Sequence, residues 1–322
     1  MTIVRLGYAA MSIHLKNASP SQTMTYTHFS KMVGQNEAIR KLETISRSNL
    51  GNCLRLLKYN LEHDIQFFRL SSRLIPLATH KDLSEWDYMA AVQDVLDEIR
   101  FFLSKNPQIR VDFHPEHFVL LNSPRAEVFN QSVKTLFHHR ILLEGMGIDP
   151  EHRCVIHIGG AYGDKEKALE QFLVNWGFVP ERIQPMIMLE NDDKIFTVRD
   201  TLYLCEKIGL PCVFDLHHHE VNNNGVSWED DWERIVQTWE HSSLPVKIHI
   251  SSPRSETNVR AHADYIDPVQ IDRFLQTVKG TVEQLDIMIE AKKKDGALFR
   301  LIEDLKQTGR YEWLDRTNFM IR

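Results

Sequence analysis

Cysteine is scarce. The chain has four in 322 residues, Cys53, Cys154, Cys205 and Cys212, and no two form a C-x-x-C pair. That excludes a disulfide-stapled secreted scaffold and the paired-thiolate zinc motifs, leaving buried free thiols in a reducing compartment. An excess of positive charge is also missing: 38 Lys and Arg face 44 Asp and Glu, for a formal net charge of −6. A generally basic nucleic-acid binder is therefore not expected, since non-specific affinity comes from neutralising phosphates with Lys and Arg. A local cationic site stays open, because bound divalent metals can be the largest charges in a pocket. No apolar run approaches the roughly 20 residues of a membrane span, and no charged segment followed by an apolar one opens the chain. No membrane partner, no obligate protein partner and a cytoplasmic location are the expectations. Long repeats and low-complexity tracts are absent as well.

What is present is alternation. Short apolar runs of strand type occur at Ile3–Tyr8, Phe67–Ser71, Arg110–His114, Cys154–Gly159, Met186–Glu190, Cys212–Asp215, Val246–Ile250 and Asp286–Glu290. Several are continuously apolar, as strands covered on both faces are. Helical patterns separate them: Gln35–His63, either continuous or broken near Ser48–Gly51, then Trp86–Leu103 and Pro124–Gly145, opened by Ser123 and Pro124 as cap and first residue. Lys165–Gly177, Phe196–Gly209, Glu229–Glu240, Pro268–Lys279 and Gly296–Thr308 complete the set. Strict alternation predicts a (β/α)₈ TIM-type barrel, which needs about 250 residues. A doubly wound open sheet is the alternative. Residues 9–34 read as a polar loop and 309–322 as a tail. The expected organisation is one barrel domain over 1–322 with a short C-terminal helical extension from about 295.

Catalytic groups of such barrels come from the C-terminal ends of the strands. Chemically active side chains cluster there on seven of the eight runs: His80, His114, His157, Glu190, Asp215 with His217–His219, Lys247 with His249 and then His262, and Glu290 with Lys292. One histidine at a strand end is usually structural. Several acids and imidazoles converging on one rim are costly unless something pairs them, and metal cations do so. One catalytic zinc takes about three protein ligands. The longer set here points to two or three divalent ions, which suits phosphoryl chemistry. Mixed imidazole and carboxylate donors favour manganese or zinc over magnesium or calcium. Alternation in V-K-I-H-I puts Lys247 and His249 on one face. An inward lysine there would contact phosphate or become chemically modified; a rim charge is the plain alternative. The basic run Lys292–Lys294 reads as a solvated loop or a phosphate contact.

The motifs L-G-Y at Tyr8, L-I-P-x-A-x-H at His80, H-P at His114, H-x-G-G-A-Y-G at His157 and L-E-N-D at Glu190 occur in that order. D-x-x-H-H at Asp215, V-K-x-H at Lys247, A-H-A at His262 and E-A-K at Glu290 follow. In this ordered set the chain resembles the UV damage endonucleases from about Leu6 to Lys292. The resemblance implies a (β/α)₈ barrel that nicks duplex DNA on the 5′ side of cyclobutane pyrimidine dimers and 6–4 photoproducts. Some members also act on abasic sites. It implies a cluster of divalent metals, commonly manganese, with zinc, magnesium or cobalt as alternatives, held by His114, His157, Glu190, Asp215, His218, His249, His262 and Glu290. Glu190 would bridge two metals, and D-x-x-H spacing selects His218, with His217 turned elsewhere and His219 spare or supporting. The catalytic group would be Glu190, Lys247 (a lysine that can be carboxylated in this family), His80 as ligand or phosphate contact, and Tyr8 beside the lesion. Damaged double-stranded DNA is the implied partner, with nucleoid association through it.

There is one departure. Where the family carries a Gln and an aromatic as a probe into the duplex, this chain reads H-P-E-H-F, giving His117 and Phe118 with Glu116 before them. Phe118 can still wedge into a base step. Ser12 stands where an Asn is often found. Two other readings compete: an abasic-site nuclease or sugar isomerase on a related barrel, and a non-catalytic damage-binding protein.

Overall fold

The computed structural model describes residues 1–322. Eight parallel strands form the barrel in chain order: β1 (Thr2–Ala9), β2 (Phe67–Leu70), β3 (Arg110–Phe113), β4 (Cys154–His157), β5 (Ile187–Glu190), β6 (Cys212–Asp215), β7 (Val246–Ile250) and, after a hairpin of β8 (Pro253–Ser255) and β9 (Asn258–His262), β10 (Gln284–Ile289). β10 pairs with β1 from Ile3↔Gln284 to Tyr8↔Ile289, so the sheet closes and the open-sheet alternative is excluded. All eight expected strands are present.

The helices follow the alternation. α2 (Gln35–Glu62) succeeds a short α1 (Tyr26–Ser30) that lies within the stretch expected as loop. α2 is unbroken at Ser48–Gly51, because Leu50, Cys53, Leu54 and Leu57 are buried there; that burial outweighs the roughly 1 kcal/mol cost of a helical glycine. α3 (Tyr88–Lys105) and α4 (Ala126–Gly145) come next. α4 starts later than Ser123–Pro124 predicts, and Ser123 Oγ accepts from the Arg125 N–H instead. α5 (Lys165–Trp176) is capped by Asp164, and α6 (Val198–Ile208) has a Thr197–Asp200 capping box and ends at left-handed Gly209. α7 (Leu216–Val221), α8 (Trp232–Gln237), α9 (Pro268–Thr277) and α10 (Lys294–Gln307) complete the set.

The stretch expected as a tail is ordered. β11 (Glu312–Trp313) and β12 (Asn318–Ile321) pair with each other, and β12 runs antiparallel along Thr2–Arg5 of β1. The C-terminal extension is therefore helical only as far as Gln307. β2 meets β1 only at Gly7–Ala9, so β12 covers the lower half of that strand. At Gly7 a Cβ would stand 2.3 Å from the Phe67 carbonyl oxygen, so only glycine allows this approach.

Alternation sets which side chains enter the barrel. Its lower interior is an ionic ladder: Arg5 and Arg110 both bond Asp286, Arg110 at 2.8 Å, and Lys247 bonds Asp112 at 2.6 Å. The ladder sits directly beneath the rim.

Candidate metal centre

Glu190 ends β5 at the centre of the rim with its side chain fully buried. Its two oxygens face different imidazoles: Oε2 lies 2.7 Å from His114 Nε2, and Oε1 lies 2.8 Å from His249 Nδ1. His157 Nε2 is 3.7 Å from Oε2, and His218 Nδ1 is 3.6 Å from Oε1. Three groups have ligand atoms within 4.8 Å of one another: His114–His157–Glu190, Glu190–Asp215–His218 and Glu190–His249–Glu290. Glu190 belongs to all three. Seven of the eight residues expected as ligands thus converge.

The eighth, His262, ends β9 and stands at the margin. Its Nδ1 is 3.8 Å from Glu290 Oε2, and its ring is 6.2 Å from that of His218. His217 packs edge-on against His262, while His219 Nε2 bonds the Val226 carbonyl and its ring packs on Phe214.

Local structure fixes the donors. The Pro115 carbonyl, 3.0 Å from His114 Nδ1, leaves Nε2 of that ring for Glu190; the Asn191 carbonyl holds His218 Nδ1 at 2.9 Å. Such second hydrogen bonds set the tautomer and aim of a ligating imidazole. Asp215 caps α7 through the His218 N–H at 2.7 Å, and the Asn191 side chain ties the β5 and β6 ends together through the Asp215 backbone. After His157 the chain turns at Gly159 (φ 126°), where a Cβ would lie 2.1 Å from Asn122 Oδ1.

The charges are unbalanced in a way that suits cations. Three carboxylates share the centre, and the permanent cation bonded among them is Arg69, whose guanidinium bonds Glu290. Burial pushes Asp215 up to about 6, Glu190 and Glu290 adding to the effect while His218 opposes it. Burial also works against an ionised Glu190, but His249, His157 and His114 outweigh it and hold its pKa well below the carboxylate range. Burial lowers His218, yet Asp215, Glu190 and Glu290 raise it to about 9. Asp215 Oδ2, His249 Nε2 and His157 Nδ1 are buried with no hydrogen-bond partner. Lone donors and acceptors of this kind are costly unless satisfied. Unpartnered nitrogen and oxygen atoms around a shared carboxylate fit divalent ions.

Other expected residues lie elsewhere. Tyr8 does not reach the rim. Gly7 and Ala9 face into the barrel, so Tyr8 faces out into the helical layer, fully buried, its hydroxyl 2.7 Å from Asn60 Oδ1. That corrects its expected place beside a lesion. His80 is apart from the cluster, its ring stacked on Tyr26 at 3.9 Å and its Nδ1 accepting from the Asp82 N–H. Lys247 does point inward, but its amine is held by Asp112 one layer below the rim. Phe118 is 69% exposed, and its ring lies 4.2 Å from that of His117. A cavity of about 220 Å³ is lined by both His117 and His157, with Asp192 and Lys194. Sequence reading missed Arg69 and Asp112. Both were visible as charged residues on strands whose neighbours are apolar.

A model of the family UV-endonuclease UvdE matches residues 4–316. The chain belongs to that family. It is 50% identical to a UV DNA damage endonuclease of Halalkalibacterium halodurans, over 94% of each chain. It is 42% identical to one of Bacillus cereus, over 94% of this chain and 95% of the relative. Among solved structures, that of SacUVDE superposes with a TM-score of 0.82 at 32% identity, covering 95% of this chain and 99% of the other. Endonuclease IV from Thermus thermophilus, at 14% identity and a TM-score of 0.55, shares the fold. Membership makes this chain an endonuclease, a hydrolase of the DNA repair class. No helix is long and apolar enough to cross a membrane.

Proposed function

We propose that the chain, working as one barrel domain, nicks duplex DNA on the 5′ side of UV photoproducts, cyclobutane dimers and 6–4 products, by metal-assisted hydrolysis. The observation that carries this is Glu190, shared by three candidate ligand groups in a family of UV endonucleases. His114, His157, Glu190, Asp215, His218, His249 and Glu290 would hold two or three divalent ions, manganese first, with His262 at the outer edge. Bound there, the ions would supply Lewis acidity, acidifying a water and offsetting charge on the scissile phosphate. Water adds at phosphorus, the P–O3′ bond breaks, and the products carry a 3′-hydroxyl and a 5′-phosphate.

The protein's part is positioning. Pro115 and Asn191 carbonyls aim His114 and His218. Arg69 holds Glu290. Lys247 and Asp112 form a neutral floor under the centre. His117 and Phe118, exposed beside it, fill the gap where a distorted base step leaves the stack, which costs less for a damaged step than for an intact one.

The test is nicking of a duplex with one photoproduct, with end-group analysis, beside an intact and an abasic duplex. Cutting 5′ to the photoproduct that stops with chelator and with Glu190→Gln is expected. Cutting that survives both, or binding without any product in manganese, overturns the reading.

A further inference from the structure

The Arg73 guanidinium bonds Glu116 Oε1 between two neighbouring loops at the rim of the barrel. Arg73 lies in the loop after β2, and Glu116 immediately precedes the His117–Phe118 pair in the loop after β3. Arg73, Glu116 and Phe118 together line a cavity of about 420 Å³. The Arg73 backbone is anchored, its N–H by Ser71 Oγ and its carbonyl by Asn49. The two charged heads are not: their side chains are 58% and 37% exposed.

Fold stability does not account for the pair, since exposed ion pairs contribute about 0–1 kcal/mol. The charge problem does. A chain of net charge −6 that takes a polyanion needs cations on its binding face, and the guanidinium fork matches phosphate oxygens in two-point contact. In the free protein Arg73 is cancelled by an acid two residues from Phe118. The far side of the mouth repeats the arrangement more loosely: Arg260 on β9 approaches Asp193, after β5, to 3.9 Å.

From this we infer that Arg73 is a phosphate contact held in reserve. Glu116 occupies it until a duplex displaces the carboxylate, and the exchange releases the loop that carries Phe118. Glu116 thereby sets how readily the enzyme engages undamaged duplex. A backbone phosphate wins the exchange through its own charge together with counterion release; intact DNA must open the pair without the compensation of a base step that yields to Phe118. Arg73 is a binding residue here, and Glu116 a specificity-determining one. The inference rests on the proposed DNA substrate.

The experiment is a double-variant cycle of Glu116→Gln and Arg73→Gln, read as affinity for intact and photoproduct duplexes across a salt series. Both sites are exposed, and thermal melting confirms folding. Glu116→Gln should tighten binding to intact duplex about two- to fivefold, the range set by releasing one exposed pair. Arg73→Gln should weaken binding and reduce the salt slope by about one. The decisive reading is the coupling: the gain from Glu116→Gln should shrink when Arg73 is already Gln. An equal gain in both backgrounds would make Glu116 a simple repulsive charge and overturn the exchange. Nicking of the photoproduct duplex by the unaltered enzyme, run alongside, separates that failure from failure of the proposed function, because the cycle on intact duplex does not depend on lesion cutting.

Discussion

Lys247 Nζ lies 2.6 Å from Asp112 Oδ2, and neither side chain has any exposed surface. Removing one partner strands a charge in the barrel, which costs about 3–5 kcal/mol, whereas replacing both with apolar groups is often neutral. Lys247→Met and Asp112→Leu should each lower the urea midpoint sharply, and the double variant should recover most of it. A double variant as unstable as the sum of the singles would refute the pair as a unit.

Glu190 is the one side chain common to all three candidate ligand groups. Glu190→Gln should therefore abolish metal retention, while Asp215→Asn or Glu290→Gln should lower it in part. Bound metal stabilises by mass action, about 2.7 kcal/mol at a hundredfold excess over Kd. Manganese should raise the melting temperature of the unaltered protein, chelator should lower it, and Glu190→Gln should show neither change. Metal content by elemental mass spectrometry is the second readout.

Two buried histidines away from the centre predict an acid limit. Burial holds His139 down to about 4, and burial with repulsion from His139 lowers His138 well below its ordinary value. Both are neutral in the folded state, while the unfolded chain takes up protons below about 6.5. The unfolded state then binds more protons, so stability falls as pH drops from about 6.5 towards 4. Urea midpoints measured across that window should decline with acid, and His139→Phe should flatten the slope. An unchanged slope would contradict the assignment.

Asp295, fully buried at the start of α10, gathers the loop that follows β1. Its carboxylate accepts from Ser12 Oγ, from the Ile13 N–H at 2.8 Å and from the Tyr59 hydroxyl at 3.1 Å. Asp295→Ala leaves these donors unsatisfied, each at about 1–3 kcal/mol if it stays buried. Faster limited proteolysis within residues 10–17 is expected, with metal content unchanged. Equal resistance to protease would show that the loop is held elsewhere.

The barrel was legible because its strands are short apolar runs, six of which end at or beside an acid or imidazole; those six meet at the rim for that reason, and His218 joins them from α7. What escaped has physical causes. The β8–β9 hairpin carries no burial pattern, since Pro253–Ser255 is exposed throughout. β12 is a four-residue strand whose partner lies at the other end of the chain. Arg69 and Asp112 stand one residue short of the strand ends; their charge is visible, but only inward parity shows that they enter the barrel. The same parity, counted from Gly7 and Ala9, places Tyr8 among the helices. His80 depends on the course of a loop, which motif spacing does not encode.

The pairing of Thr2–Arg5 with Asn318–Ile321 joins segments from opposite ends of the sequence. Contacts so distant along the chain are the slowest to form, because loop closure must come before any gain from pairing. This seam is then expected to close late on the folding route. Until it closes, the lower edge of β1 offers unpaired backbone groups to any passing strand. The interval before closure, more than the finished barrel, is when this molecule is open to self-association.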